Sequence, residues 1–362
     1  MVIFVWGVLI IIIAWIVLAW IKLLPYNQKP LEINTFDGSN CPYHPSVLYF
    51  KDGWNRYRYW MAETPFSPQS MPYEDRNECP SIHVSNDGIN WTEIIKNPID
   101  DLTEKEIAGL DYFSDPHLIF VDDHIECWYR FTHRYGVKDK YDDLQLVRKC
   151  SNDGVNWSTR EVMVNLATNE GDSLGNMVVS PAILYHNGKY RMWYVTSESR
   201  KYRELSYSES TDGKQWCKQQ KCILEGMGHM PWHIDVNYID GKFYLLSYDF
   251  TDITVWESND GRTFYYIKKL IEPSVTGSFY SYRLYRACII EDGKYSIYFS
   301  AHDSLKTYIG LIQGSNVNNL KIKDIGKHIS LMGLIKFISI TKWRTVKFLA
   351  KRLFKIKTTH NA

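Results

Sequence analysis

Ser85-Asn86-Asp87-Gly88-Ile89-Asn90-Trp91 is written again as Ser151-Asn152-Asp153-Gly154-Val155-Asn156-Trp157. It returns as Ser210-Thr211-Asp212-Gly213-Lys214-Gln215-Trp216 and as Ser258-Asn259-Asp260-Gly261-Arg262-Thr263-Phe264. Asp-Gly between two apolar runs is a strong hairpin signal, because both residues tolerate the positive φ of a tight turn. The closing aromatic is placed to fold back over the hairpin. Four copies in a fixed context make an internal repeat, and the repeat decides the fold.

Working outward, each turn is preceded by an apolar strand, a second tight turn and an aromatic strand. These are Pro45–Phe50, Asp52-Gly53 and Tyr57–Met61 in the first unit, and Pro116–Val121, Asp122-Asp123 and Glu126–Phe131 in the second. The third has Pro181–Tyr185, Asn187-Gly188 and Tyr190–Val195; the fourth has Ile234–Ile239, Asp240-Gly241 and Phe243–Tyr248. One more short strand follows each turn: Thr92–Ile95, Arg160–Val164, Lys221–Leu224 and Tyr265–Leu270. Four antiparallel strands per unit is the composition of a propeller blade. A fifth unit at Leu284–Ile290, Asp292-Gly293, Tyr295–Ser300 and Thr307–Gln313 lacks the turn, as terminal repeats often do. Its outer strand is either Leu320–Ile325 or Leu31–Thr35 closing the ring from the other end. The expected fold is all-β, a five-bladed propeller over residues 44–326, with 25–43 a linker and possible ring-closing strand.

The two ends differ in composition. Met1 to Ile21 carries no charge and is long enough to span a bilayer, so residues 1–24 read as a transmembrane helix. A basic start and a small-residue cleavage site, the marks of a secretory signal peptide, are missing. Residues 327–362 form a basic tail, without Asp or Glu and with an apolar stripe that includes Leu331, Leu334, Ile338 and Phe348, which reads as an amphipathic helix on an anionic leaflet. Lys22 and Lys29 follow the apolar span and no Lys or Arg precedes it, which predicts a single-pass cell-membrane protein with a cytoplasmic propeller. Seven scattered cysteines suit free thiols in a reducing compartment. Asn90-Trp91-Thr92 and Asn156-Trp157-Ser158 match glycosylation acceptors but fall inside the repeated turn.

The net charge of +1 excludes a whole-protein nucleic-acid footprint. The chain contains no phosphate-cradling glycine loop, Gly-x-Ser-x-Gly elbow or dinucleotide fingerprint, and no cofactor is expected. The expected partners are carbohydrate and, through both termini, membrane lipid.

A propeller gathers the starts of its innermost strands around a central funnel. Those starts are His44-Pro45, Asp115-Pro116, Ser180-Pro181, Trp232-His233-Ile234-Asp235 and Tyr282-Arg283. The strand pattern, the Asp-Gly-aromatic turns and Asp115-Pro116 resemble the five-bladed propeller glycosidases, namely the arabinanase and β-xylosidase families and the invertase–levansucrase families. The resemblance covers about residues 40–315. It implies three funnel acids, an Asp opening blade one, an Asp opening blade two and a Glu opening blade three. Asp115 matches the second, whereas His44 and Ser180 stand at the other two positions.

Glycoside cleavage needs one protonated and one ionised carboxyl. With Asp115 as one, the candidates for the other are Asp235, Glu78, Glu198 and Asp249. Glu78 sits in Asn77-Glu78-Cys79-Pro80, similar to the Glu-Cys-Pro of the invertase group but at a different place in the blades. Histidine at His44 and His233 suits acid or base work near neutral pH. Arg283 and Arg286 could grip a carboxylate or phosphate, and Trp232 and Tyr282 offer faces to a sugar ring. Carboxylate plus imidazole at His44, Asp115, His233 and Asp235 also suits a divalent metal, but no local spacing supports one and none is expected. Two readings follow. The first is a membrane-anchored glycoside hydrolase-like enzyme, a hydrolase or transglycosidase, acting on an envelope or capsular polysaccharide or its precursor. The second is a catalytically silent propeller that binds glycan or a partner in a polysaccharide assembly complex.

Overall fold

The computed structural model describes residues 29–66, 78–136, 143–166, 174–175, 177–199, 202–273, 279–303 and 305–322, together with 6, 7, 10 and 13. The four isolated residues are helical and exposed, and the rest of the expected membrane span and the whole tail from 327 lie outside the described residues. Among the described residues no helix is long and apolar enough to cross a membrane.

Five sheets follow one another along the chain, antiparallel but for one short strand. Blade 1 is β1 (Pro42–Trp54), β2 (Tyr57–Pro65) and β3 (Ser81–Ser85). A short helix, α1 (Glu104–Ala108), leads into blade 2: β4 (Tyr112–Val121), β5 (His124–His133), β6 (Asp143–Ser151) and β7 (Glu161–Asn165). Blade 3 is β8 (Val179–His186), β9 (Lys189–Ser199), β10 (Tyr202–Ser210) and β11 (Gln220–Lys221). Next come β12 (Ile223–Glu225) and then β13 (His233–Ile239), β14 (Lys242–Tyr248), β15 (Ile253–Ser258) and β16 (Thr263–Ile271), which make blade 4. Blade 5 is β17 (Arg283–Glu291), β18 (Tyr295–His302), β19 (Thr307–Gly314) and β20 (Lys321–Ile322).

The expected run Lys221–Leu224 is split between two blades. Gln220 and Lys221 finish blade 3, while Ile223–Glu225 crosses over and pairs in parallel with β16 of blade 4. Thr92–Ile95 contributes one bridge, Thr92 to Val84, rather than a strand. The outer strand of blade 5 is β20, and Leu31 instead donates a backbone hydrogen bond to Ile309 of β19 at 2.8 Å. Leu31 and Ile33 then pack with Val47 and Tyr59 of blade 1 and Tyr298 and Leu311 of blade 5, so the segment before blade 1 helps join the two without forming the expected strand. Each of the five apolar clusters joins two neighbouring blades, so the core lies between the blades.

The repeated turn is one piece of geometry used four times. In the second copy, Asp153 Oδ1 accepts from the Val155 and Asn156 amides at 2.8 and 2.7 Å, and Ser151 Oγ accepts from the Gly154 amide at 2.8 Å. Asp87, Asp212 and Asp260 repeat this within 0.1 Å of 2.8 Å. Trp157 and Trp216 fold back as expected, each donating to the carbonyl of its own turn glycine. The glycines do more than permit φ near +73°. A Cβ on Gly154 would stand 2.1 Å from the Trp60 ring of blade 1, and one on Gly213 would stand 2.9 Å from Trp128 of blade 2. Gly261 meets Trp193 of blade 3, and Gly88 meets Tyr298 of blade 5. Trp193 and Tyr298 also donate to the carbonyls of Gly261 and Gly88, at 2.6 and 3.0 Å. The motif therefore locks each of blades 1 to 4 onto its preceding neighbour in the ring.

Candidate functional site

The funnel begins with a backbone irregularity. His44, Asp115 and Ser180 have φ of 52°, 53° and 50°, and each precedes a proline. At each the pairing of the innermost strand breaks, between Tyr43 and Ser46, Ser114 and His117, and Val179 and Ala182. Left-handed φ at a non-glycine residue is costly, and a bulge re-aims the side chains around it. Blade 5 breaks in the same way between Leu284 and Ala287. Its counterpart is therefore Tyr285, which corrects the expectation that Tyr282-Arg283 fills that place. Pairing of β13 is continuous, and blade 4 presents His233 from the first position of the strand.

These positions converge. Asp115 is 1% exposed; its Oδ2 accepts from Arg130 Nη1 at 3.1 Å and from the Ser180 amide at 3.3 Å. Its Oδ1 lies 3.4 Å from His233 Nδ1, in ion-pair range but outside hydrogen-bonding geometry. The His44 and His233 rings are 6.0 Å apart, and Tyr285 packs on both at 5.2 and 3.9 Å. His44 Nδ1 shares a hydrogen bond with Thr64 Oγ1 at 2.9 Å and lies 3.8 Å from Glu78 Oε2. Asp115 Oδ1, His44 Nε2 and both nitrogens of His233 are buried with no hydrogen-bond partner. Four unsatisfied polar atoms in one buried cluster are expensive for a fold to keep, and such groups call for a functional explanation.

The two carboxyls are driven apart. Burial opposes ionisation of Asp115, but its contact with His233 and the Arg130 guanidinium beside it outweigh burial and hold the carboxyl well below the usual range. Burial, reinforced by the charge of Asp115, pushes Glu78 up to about 8, so it keeps its proton at neutral pH. Burial lowers His44 to about 3 and also lowers His233, leaving both imidazoles neutral, with ring nitrogens able to accept a hydrogen bond or bind a cation. Burial and then the Asp115 charge raise the Tyr285 hydroxyl.

Asp235 and Arg286 do not join this cluster. His233 and Asp235 sit on the same side of β13, but two residues separate levels by about 6.6 Å along the channel. At the lower level Asp235 accepts from the Ile289 amide at 3.2 Å and lies 3.6 Å from His117. Burial raises its carboxyl to about 6. Arg286 is 0% exposed and donates to the carbonyls of Pro116 and Pro181 and to His117 Nδ1, at 3.0, 2.9 and 3.0 Å. It ties blades 2, 3 and 5 together at the axis. A cavity of about 190 Å³, lined by Ser46, His117, Asp235, Asn237 and Cys288 among others, lies at this level.

Around the upper cluster, Trp232 is half-buried, stacked on Phe250 at 5.2 Å and edge-on to His233 at 5.7 Å. Tyr282 packs on His302, and Arg283 is exposed with its guanidinium 5.9 Å from the Tyr282 ring. Asp249 is 3.4 Å from His229 and accepts from the Thr251 amide at 3.0 Å, so it caps a turn instead of entering the cluster. Glu198 lies near the end of β9, and its side chain is outside the described residues. Arg130, Tyr285 and Thr64 were missed by sequence reasoning. The bulge signature would have found Tyr285, but nothing local marks Arg130 or Thr64. Among the described residues, the one cluster with metal-ligand spacing is His124, Glu126 and Cys150, and Arg148 already occupies Glu126 at 2.7 Å. All seven cysteines are free thiols.

No protein-family model matches the chain. It is 24% identical over 324 residues to an A type blood N-acetyl-α-D-galactosamine deacetylase from Flavonifractor plautii. That alignment covers 71% of this chain and 40% of the relative, so the chain spans less than half of the relative's length. Among solved structures it is similar to an N-acetylgalactosamine deacetylase from F. plautii in complex with blood group B trisaccharide. The TM-score is 0.65 at 18% identity, covering 81% of this chain and 94% of that one. It is also similar to a β-xylosidase/α-arabinofuranosidase from a compost microbial metagenome in complex with xylotriose. There the TM-score is 0.55 at 13% identity, with coverage of 84% and 98%. The five-bladed fold is thus shared with propeller β-xylosidases and arabinofuranosidases and with a deacetylase.

Proposed function

We propose that this chain is a carbohydrate-active hydrolase that removes an acyl group from an amino sugar of an envelope or capsular glycan or its precursor. The observation that carries this reading is the buried cluster itself: an ionised Asp115 and two neutral imidazoles with unpartnered atoms, beside a Glu78 that retains its proton. His233 is placed to take a proton from an attacking water, and Glu78 to give one to the departing amine. The neutral His44 and Ser180, standing where the propeller glycosidases have acids, argue against an ordinary two-acid attack on a glycosidic bond. The sequence similarity to a deacetylase supports amide cleavage. The unpartnered donor atoms of Asp115, His233 and His44 also fit a divalent cation, which when bound would activate water and polarise the acyl carbonyl.

A second reading is cleavage of a glycosidic bond, with Glu78 as acid and Asp115 as base or nucleophile. It is favoured by the opposite protonation of the two carboxyls. The silent, glycan-binding alternative predicts neither product. One assay separates all three. N-acetylated envelope oligosaccharides are incubated with wild type and with Asp115→Asn, and free acetate and new reducing ends are measured together. Acetate without reducing ends supports deacylation, and reducing ends support glycosidic cleavage. Binding without either product leaves the silent propeller.

The membrane reading belongs with this proposal. The uncharged run of residues 1–24 and the basic tail support attachment at both ends with the propeller on the cytoplasmic side. Removing the first 24 residues then releases most of the protein from membranes. Digestion of the propeller by protease added outside intact cells would reverse the orientation.

A further inference from the structure

The rim of the funnel carries two guanidiniums, Arg203 and Arg283. Arg203 lies over the rings of Trp232 and Phe250, at 5.5 and 4.6 Å, and its Nε is buried without a hydrogen-bond partner. Arg283 is exposed, and its charge is felt at the hydroxyls of Tyr43, Tyr248 and Tyr285. Tyr248 packs on Phe250 and Tyr285 at 5.9 and 5.8 Å, so the two guanidiniums flank one continuous aromatic wall that leads down to His233. Among the described residues neither arginine has an ion-pair partner. Among the described side chains, the acids near the wall are otherwise engaged. Asp115 is bonded to Arg130, and Asp249, whose charge reaches Arg203, is held by His229 and Thr251. Glu78 is uncharged at neutral pH.

We infer that the glycan bound here is anionic, carrying a carboxylate or phosphate on a residue next to the one that enters the funnel, with Arg203 and Arg283 as the groups that receive it. A sugar ring stacked on Trp232 or Phe250 brings its substituents to the edge of the wall, where a planar guanidinium can meet an oxyanion in a bidentate fork. A guanidinium held over aromatic rings with a buried, unpartnered Nε has a spare donor to offer such a ligand. The inference rests on the carbohydrate reading, because it assigns the charge of that same ligand.

The test is titration of the intact chain in detergent with three probes: a galacturonic acid oligosaccharide, the galactose oligosaccharide of equal length, and glucose 6-phosphate. Each is run against wild type, Arg203→Gln, Arg283→Gln and Asp115→Asn. The wild type is expected to prefer an anionic probe to the neutral one by about tenfold or more at low salt, with the preference falling as salt rises. The carboxylate and phosphate arms identify which anion the rim takes. Each arginine variant should bring the ratio of anionic to neutral affinity toward one. Equal binding of charged and neutral probes, or an unchanged ratio in both arginine variants, overturns the inference and leaves the carbohydrate reading standing. Absence of binding by every probe, with Asp115→Asn indistinguishable from wild type, overturns both.

Discussion

The outer turns and the central funnel are built from the same repeat, and they treat their polar atoms in opposite ways. At the turns, Asp87, Asp153, Asp212 and Asp260 make the same pair of backbone hydrogen bonds in four blades. At the funnel, the equivalent positions of blades 1, 2, 3 and 5 hold His44, Asp115, Ser180 and Tyr285, four different residues on one shared backbone break. Turn carboxyls are satisfied locally and are held below their ordinary pKa by the hydrogen bonds they accept. Funnel groups are left with free atoms and shifted in both directions, Glu78 upward by burial and Asp115 downward by its neighbours against burial. Uniformity marks the part that holds the ring together. Divergence on a common frame marks the candidate site.

The sharpest break in this comparison comes from Asp115→Asn. Hydrolysis should fall by roughly 10³-fold, since the only carboxylate of the cluster that is ionised at neutral pH is removed. The fold should also lose about 3–5 kcal/mol, because Arg130 is left buried without its counter-charge. Adding Arg130→Gln should recover part of the stability and none of the activity, as read by urea titration beside the product assay. If the single variant keeps full activity, the cluster is structural.

Glu78→Gln should separate the two properties more cleanly. A carboxyl that is already protonated loses little when it becomes an amide, so the melting temperature should stay near wild type. Turnover should drop by roughly 10²- to 10⁴-fold with the loss of a transferable proton. A large fall in melting temperature instead would show that Glu78 is ionised and paired.

At the outer turns the order reverses, with stability changing and activity per folded molecule not. Gly154→Ala should cost about 3 kcal/mol, from left-handed strain and from a methyl driven into Trp60. Gly241→Ala is the control, since φ there is +82° but nothing lies within 4 Å of the new Cβ; it should cost about 1–2 kcal/mol. Equal losses at the two glycines would refute the blade-to-blade lock.

The smallest expected effect is a pH dependence. Asp153 is lowered to about 2, chiefly by the Asn156 amide, and Asp212 is lowered by the Gln215 amide. A carboxyl whose folded pKa is depressed adds stability above its unfolded pKa of about 4, and this is lost as pH falls toward 2. Melting temperatures between pH 5 and pH 2 should therefore decline less steeply in Asp153→Asn than in wild type. Parallel curves would show that the turn carboxylate is not a source of acid sensitivity.

Legibility in the sequence followed the same division. The five units, the turns and the place of Asp115 could be read because each rests on neighbours within a few residues. His44 and His233 were legible through the repeat register. Glu78 was visible as a candidate, but only the fold carries its positive-φ turn to the side of His44. Asp235 misled because a strand's side-chain alternation gives a face and not a depth. Arg286 misled because its charge suggested a ligand, whereas it spans the axis to Pro116 and Pro181.

By itself the sequence determined the ring: turn chemistry and strand alternation are local, and repetition multiplies a local signal until it specifies five blades. Only the tertiary structure decided the site. Which side chains share a level of the channel, which lose their solvent, and which guanidinium finds a partner depend on groups far apart in the chain, such as Arg286 and Pro116, 170 residues away. Desolvation and Coulomb interaction act through space, so the protonation of Glu78 and Asp115 exists only once the blades have closed around them.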